Sequence, residues 1–212
     1  MSGHHVISSL QWRRLRAIAL GIAAAAALAS GSTAYASDEE SWPNQNNIVV
    51  AQNYRDYSEL DRTSLRVVFV DGDVTASNEA VAFASCQYCH TTAVAIEAVV
   101  VIGYPKTFVP QNIAMAINYQ CSHCVTVADA WQVVLQYTGP VELTGQGEKQ
   151  VAQLRQQLRD LADSNATPDA IVQGDMQIRD QLKQVLQSDL VPTEGGEDKS
   201  NEQDRESFRI AA

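Results

Sequence analysis

The chain has 212 residues, 45% of them hydrophobic, and carries 25 acidic against 15 basic side chains, a formal net charge of −10. This length favours a single domain, or a single domain with an appendage. The chain is long enough to bury a core without needing cross-links to fold. The acidic balance argues against nucleic acids and anionic membrane surfaces as partners, because both attract basic proteins.

Residues 1–36 have the order of an export signal peptide. Three arginines precede an alanine-rich apolar run over 17–29, and Ala34-Tyr35-Ala36 offers small residues for cleavage. An uncleaved membrane anchor is the alternative, although the run is shorter than the ~20 apolar residues of a membrane span. We therefore expect a secreted, periplasmic or cell-envelope protein that meets the membrane only through an uncleaved signal.

Short strand candidates follow a polar, flexible lead-in predicted over 37–47. Ile48-Val49-Val50-Ala51 is the first, and the β-branched and aromatic run 65–70 is the second. Asp71-Gly72-Asp73 then predicts a turn.

The central part of the chain contains one unit written twice, at an offset of 35 residues. Both copies read C-x-x-C-x-T-x-A-x-A-x-[EQ]-[AV]-V-[VL], starting at Cys86 and at Cys121. An Asn and alternating alanines precede each copy, and a Gly followed closely by Pro ends each. Such repetition indicates supersecondary units that bury a face against each other.

Two secondary structures compete for this unit. The alternation of residue types favours strands, with small alanines on one face that would let another layer approach closely. Asn78 and Asn112 as N-caps, with Gly103 and Gly139 as stops, would instead favour two long helices. We predict strands, joined at each C-x-x-C by a two-residue connection, and hence an α+β fold with an antiparallel sheet over 48–143.

The pattern changes to helical spacing after Pro140. Apolar residues recur in two stripes, broken at 165–169, where Thr167 suits an N-cap and Pro168 the first helical position. The sequence predicts a C-terminal antiparallel helical hairpin over 144–190, followed by a disordered acidic tail over 191–212. The stripes are formed by Val151, Leu154, Leu158 and Leu161, and by Ile171, Ile178, Leu182 and Val185.

The four cysteines, Cys86, Cys89, Cys121 and Cys124, allow three kinds of chemistry. Disulfides are favoured in an exported protein, with three connectivities open. A structural zinc site is next, because two C-x-x-C pairs supply four thiolates. Their auxiliary ligands would be His90 and His123. Covalent haem is the third, since Cys86 to His90 match C-x-x-C-H.

No catalytic constellation is recognisable: the sequence has no H-E-x-x-H, G-x-S-x-G or phosphate-binding glycine loop. Glu97 and Gln132 occupy equivalent positions in the two copies, which favours a polar structural role over a catalytic carboxylate. No cofactor is favoured. We expect a non-enzymatic structural or protein-binding module, with an exported haem or thiol redox protein as the alternative.

The region from about 47 to 190 resembles a region of actinobacterial proteins labelled peptide zinc metalloprotease. The likeness is carried by the segments Leu65–Phe69, Gly72–Val74, Asn78–Cys89, Val109–Asn112, Cys121–Cys124, Ala128–Gln132 and Gly139-Pro140. The protease portion and its metal-binding helix are absent from this chain, so the resemblance implies a domain of uncharacterised role and no catalytic residues.

Overall fold

The structure, a computed structural model, describes residues 44–193 in full and residues 199–211 by their backbone. The predicted signal peptide and most of the predicted lead-in lie outside the described residues. None of the helices in the described part of the chain has both the length and the apolar character needed to cross a bilayer.

Six strands wind into three successive coils, each with a short strand followed by a long one. The short strands β1 (Asn47–Asn53), β3 (Ser77–Ala84) and β5 (Gln111–Asn118) form sheet A. The long strands β2 (Glu59–Asp71), β4 (His90–Ile102) and β6 (Val125–Tyr137) form sheet B. All pairings among these six strands are parallel, so this part of the chain is a parallel β-solenoid.

The predicted antiparallel sheet is therefore wrong, while strands rather than helices are correct for this region. The error lies at the two-residue connections within each C-x-x-C. They are corners at which the chain passes from one sheet to the other, and not hairpin turns within a sheet. Each corner contains a residue with positive φ, Tyr57, Tyr88 or His123, at 51°, 51° and 56°. This left-handed conformation redirects the backbone without reversing it against its own strand.

Alanines make up most of the contact between the two sheets. Ala80, Ala82, Ala93, Ala95, Ala128 and Ala130 are fully buried in one cluster that joins both sheets. Small side chains at every second position let the backbones of the two sheets approach closely. The predicted role of the alanine face is confirmed.

An asparagine ladder ties the three coils together at the first inward position of sheet A. Asn47 Nδ2 donates to Asn78 Oδ1 at 2.9 Å, and Asn78 Nδ2 donates to Asn112 Oδ1 at 2.8 Å. The same Asn78 amide lies 2.9 Å from the carbonyl of Ala95 and 3.0 Å from that of Trp131, both in sheet B. The ladder thus links coil to coil and sheet to sheet.

Two helices cover the outer face of sheet B. After the short strand β7 (Val141–Leu143), α1 (Gly145–Ala162) and α2 (Pro168–Ser188) pack on each other and on the sheet. Thr144 and Thr167 cap them, and every residue of the two predicted apolar stripes joins the core beneath them. Gly174 permits the close approach of α2 to α1, because a Cβ there would lie 2.5 Å from Leu161 Cδ2.

The chain closes with two antiparallel pairings. β8 (Leu190–Pro192) pairs with β7, and β9 (Lys199–Ala211) pairs along the whole of β6 at the edge of sheet B. Both strands fall at or within the segment 191–212, for which the sequence predicts disorder. The segment is polar and charged, and its composition alone does not indicate that it pairs with β6, which is distant in the chain.

Replacing Asn78 with alanine should destabilise the protein strongly. The change removes a side chain that bonds two neighbouring asparagines and leaves buried carbonyls without a donor, which should cost roughly 3 kcal/mol. Urea unfolding measures the loss. Gln52→Ala, on the exposed face of β1, is the matched control and should change stability by less than about 0.5 kcal/mol. Equal effects from the two variants would contradict the role assigned to the ladder.

Candidate functional site

The four cysteines meet at one corner of the solenoid, on the second and third coils. Cys86 is bonded to Cys89 and Cys121 to Cys124. The two disulfides are neighbours, with the Sγ atoms of Cys89 and Cys124 3.3 Å apart and all four Sγ atoms within 4.8 Å of one another. Of the three connectivities left open by the sequence, the structure has the one in which each C-x-x-C pair forms its own disulfide.

Stacking of parallel coils explains why these sulfur atoms converge. The register places His90 beside Val125, so the residues that precede them in the chain also lie coil above coil. Cys86, Cys89 and Cys124 are buried, while Cys121 is half-buried. The first coil has Arg55 and Ser58 at the corresponding positions, 31 residues before Cys86 and Cys89. The cluster therefore comprises two coils and four sulfur atoms.

Aromatic rings stack along the same corner. The rings of Tyr57 and Tyr88 lie 5.2 Å apart between centroids, and those of Tyr88 and His123 lie 4.5 Å apart. Their planes are within 5° of parallel. The three residues occupy the positive-φ position of their respective coils, so stacked rings accompany the stacked corners.

The two histidines predicted as auxiliary ligands lie near the corner but outside the sulfur cluster. His123 belongs to the ring stack, and His90, the first residue of β4, has its Nδ1 3.3 Å from Glu59 Oε1. The metal-binding geometry found in the described residues consists of the four cysteines alone. The sulfur atoms that haem attachment would require are bonded to each other and buried, so the residues of this corner do not fit covalent haem.

A buried carboxyl group lies inside the solenoid, between the alanine cluster and a second apolar cluster around Val99. Gln132 Nε2 donates to Glu97 Oε2 at 2.9 Å, while Glu97 Oε1 and Gln132 Oε1 have no hydrogen-bond partner. Burial raises the pKa of Glu97 to about 7, against the opposing effects of the Gln132 hydrogen bond and the charge of Arg66. A protonated Glu97 can donate from Oε1 to Gln132 Oε1 while Oε2 accepts from Gln132 Nε2, so that both of the unpartnered oxygens gain a hydrogen bond.

A second buried group of charges joins α2 to sheet B. Arg179 bridges Asp129 of β6 and Asp175 of α2, one turn before it on the helix. Burial and the neighbouring Asp129 raise the pKa of Asp175 to about 8, despite the charge of Arg179. One guanidinium thus serves two buried carboxyl groups, and the arrangement links the helix to the sheet.

The outer face of sheet A is an apolar surface that the described residues leave exposed. We call it the sheet A face. In register, its three rows are Ile48, Glu79 and Ile113; Val50, Val81 and Met115; Gln52, Phe83 and Ile117. Its most exposed members include Ile48 at 50% and Met115 at 45%. Seven of the nine side chains are apolar and one is charged. In the sequence, Ile113, Met115 and Ile117 alternate with the alanines of β5, but this alternation does not indicate that their side of the sheet is left uncovered.

Comparison of the chain with protein-family models, with curated proteins and with solved structures finds no match.

Removing one disulfide should leave the other intact. In Cys121→Ser/Cys124→Ser, we expect no free thiol on the unfolded, unreduced chain, because Cys86 remains bonded to Cys89. Peptide mapping of the unreduced wild type should show the same Cys86–Cys89 bond together with Cys121–Cys124, and a bond between coils would contradict the assignment. Loss of the short loop should lower stability by roughly 2 kcal/mol in the loop-entropy model.

Replacing Glu97 with glutamine should remove a pH dependence of stability. Because the pKa rises from 4.5 in the unfolded chain to about 7 in the folded one, the folded state binds the extra proton. Its stability therefore falls as the pH rises between these values, by about 3 kcal/mol for this group.

The measurement is the difference in unfolding free energy between wild type and Glu97→Gln from pH 4 to pH 8. We expect the variant to gain stability relative to the wild type as the pH rises, and Glu142→Gln, at an exposed position, to show no such trend. A flat difference curve for Glu97→Gln would mean that the carboxyl group is not buried as described.

Proposed function

We propose that this chain is an exported structural module that binds another protein through the sheet A face and performs no catalysis itself. The single observation that carries the proposal is that face: an apolar sheet surface that the described residues leave exposed, while two helices cover the opposite side of the solenoid. Contiguous exposed apolar surface of this kind marks interaction sites.

The size of the face limits the kind of partner. Three strands about 4.8 Å apart and seven residues at about 3.3 Å each give roughly 300–350 Å². A stable interface between two globular proteins needs about 800 Å² on each side. The face is too small for that and suits one apolar element of a partner, such as a single amphipathic helix laid across the strands.

The charges of the face refine the partner further. Glu79 is the one charged side chain among its nine outward positions, and it accepts from the Ser77 hydroxyl at 2.5 Å. At the aromatic end, Tyr54 packs on Phe83 with ring centroids 5.6 Å apart. A partner helix with an apolar stripe and a Lys or Arg at the Glu79 end would complement both features.

Export is supported by the residue pattern of 1–36 and by the disulfides, which persist in oxidising compartments. In this proposal, the disulfides and the asparagine ladder give the face a rigid backing. A rigid face loses less conformational entropy when it binds a partner.

Cross-linking from the sheet A face in the producing cell tests the proposal. A photoreactive residue in place of Met115 should give one adduct of defined mass, recovered from the envelope or the medium. The same residue in place of Gln153, exposed on α1, should not. Val81→Asp should abolish the adduct without lowering the melting temperature, since Val81 is only half-buried.

Binding measurements with the partner so identified complete the test. Val81→Asp should weaken the affinity for the partner at least tenfold. If the partner's helix carries a Lys or Arg at the Glu79 end, Glu79→Lys should weaken the affinity as well. Equal adducts from positions 115 and 153, or an affinity indifferent to Val81→Asp, would contradict the proposal.

A further inference from the structure

The cysteine corner has the composition and the dimensions of a tetrahedral metal site. A zinc ion bound by four thiolates has Zn–S distances of about 2.3 Å, which places the sulfur atoms about 3.8 Å apart. The four Sγ atoms of the corner already lie within 4.8 Å of one another, and the contact between Cys89 and Cys124 is 3.3 Å. Once the disulfides are opened, the two sulfur atoms of each pair need only move apart to this spacing for all four to reach one ion.

We propose that reduction of the two disulfides converts this corner into a binding site for one Zn²⁺, held by Cys86, Cys89, Cys121 and Cys124. The proposal is independent of the sheet A face. It concerns a second state of the same four sulfur atoms, in which a metal ion replaces two covalent bonds as the link at the corner.

The number of ligands follows from the coils. Only the second and third coils have cysteines at the corner, because Arg55 and Ser58 occupy these positions in the first. Two adjacent coils therefore supply four thiolates, which is the complete ligand set of a closed structural zinc site. A chelate of this kind would link the two coils, whereas each disulfide links residues within one coil.

The surroundings of the sulfur atoms keep them in place when the disulfides are opened. The Cys124 Sγ lies 3.0 Å from the Cys86 carbonyl oxygen, and the Cys86 Sγ lies 3.4 Å from that of Asn53. Backbone bonds from Tyr88 N to Ser122 O and from Val125 N to Cys89 O hold the second and third coils together at this corner, independently of sulfur. The thiols would therefore remain gathered after reduction.

Reduction of the disulfides precedes metal binding. Two equivalents of a phosphine supply four electrons, and each phosphine takes up the oxygen of one water molecule, whose two protons complete two of the four thiols. The ion then displaces these four protons as it binds, because the thiolate is the metal ligand. Cys121, the most exposed of the four, is the point at which a reductant can first attack.

The test uses the full chain, reduced with a phosphine under anaerobic conditions and titrated with Co²⁺ as a spectroscopic probe. We expect one Co²⁺ per chain, with thiolate-to-cobalt charge-transfer absorption and the d–d bands of a tetrahedral complex. One equivalent of Zn²⁺ should then bleach the spectrum. The oxidised protein should bind neither ion at this site.

Variants identify the ligands. Each single Cys→Ser substitution should weaken Zn²⁺ binding by at least about tenfold, measured by competition with a chromophoric chelator. His90→Ala and His123→Ala are the matched controls and should leave the affinity unchanged. Weakening by a histidine variant, with none from the cysteine variants, would overturn the assignment.

The state of the fold decides the remaining outcomes. Near-ultraviolet circular dichroism of the buried Trp131 reports whether the reduced chain keeps its core. Metal binding with the native signal retained, or restored by Zn²⁺, supports the proposal. A folded reduced chain that binds no metal, or a metal complex formed without the native signal, overturns it.

Discussion

Parallel register is the constraint on which this structure depends, and the asparagine ladder is where it is enforced most strictly. Asn78 bonds the asparagine below it and the one above it, and its amide also reaches two carbonyls of the opposite sheet. A coil shifted by one residue would turn these carboxamides to solvent and put Ile or Glu in their place. Buried carboxamides tolerate few arrangements, because each unpaired polar group costs about 1–3 kcal/mol. The ladder therefore specifies register more sharply than the alanine core around it, in which shifted alanines would still be apolar.

Register also determines which side chains meet elsewhere in the molecule. Residues at equivalent places in the coils must stack, so cysteines come together at the corner, rings stack beside them, and Glu97 lies against Gln132. The last pair is a consequence with an energetic cost, since burial in the solenoid interior raises the pKa of the Glu97 carboxyl group to about 7 and so disfavours its ionised form. A glutamine beside it is the neighbour that can both donate to and accept from that protonated form. Stacking thus accounts for the sulfur cluster and the perturbed carboxyl group by one cause.

Much of this was predictable from the sequence, and the errors have physical reasons. Alternating alanines predict strands and a close second layer, and Thr167 with Pro168 predicts the start of α2, because both signals act within a few residues. The direction of strand pairing is not local: Gln87-Tyr88 between two strands is compatible with a hairpin or with a corner. The sequence does not reveal the first coil as a third copy, because Arg55 and Ser58 replace the cysteines that mark the other two coils. Asn47 and Tyr57 nevertheless occupy the positions of Asn78 and Tyr88 in it. The strand β9 was missed because its pairing partner lies more than 60 residues away in the chain.

The outer surfaces of sheet A and sheet B differ in how far the described residues cover them, which favours sheet A as the interaction surface. Both sheets have an apolar outward row, since Leu65, Ile96 and Trp131 on sheet B are matched by Val50, Val81 and Met115 on sheet A. On sheet B, the helices α1 and α2 bury that row and turn it into core. On sheet A, nothing in the described part of the chain does so, and the row remains partly in water. Apolar side chains in such a row contribute nothing to the core, which the inward alanines already fill. Under the proposed function, an external element of a partner covers the apolar side chains of the sheet A face as the helices cover sheet B.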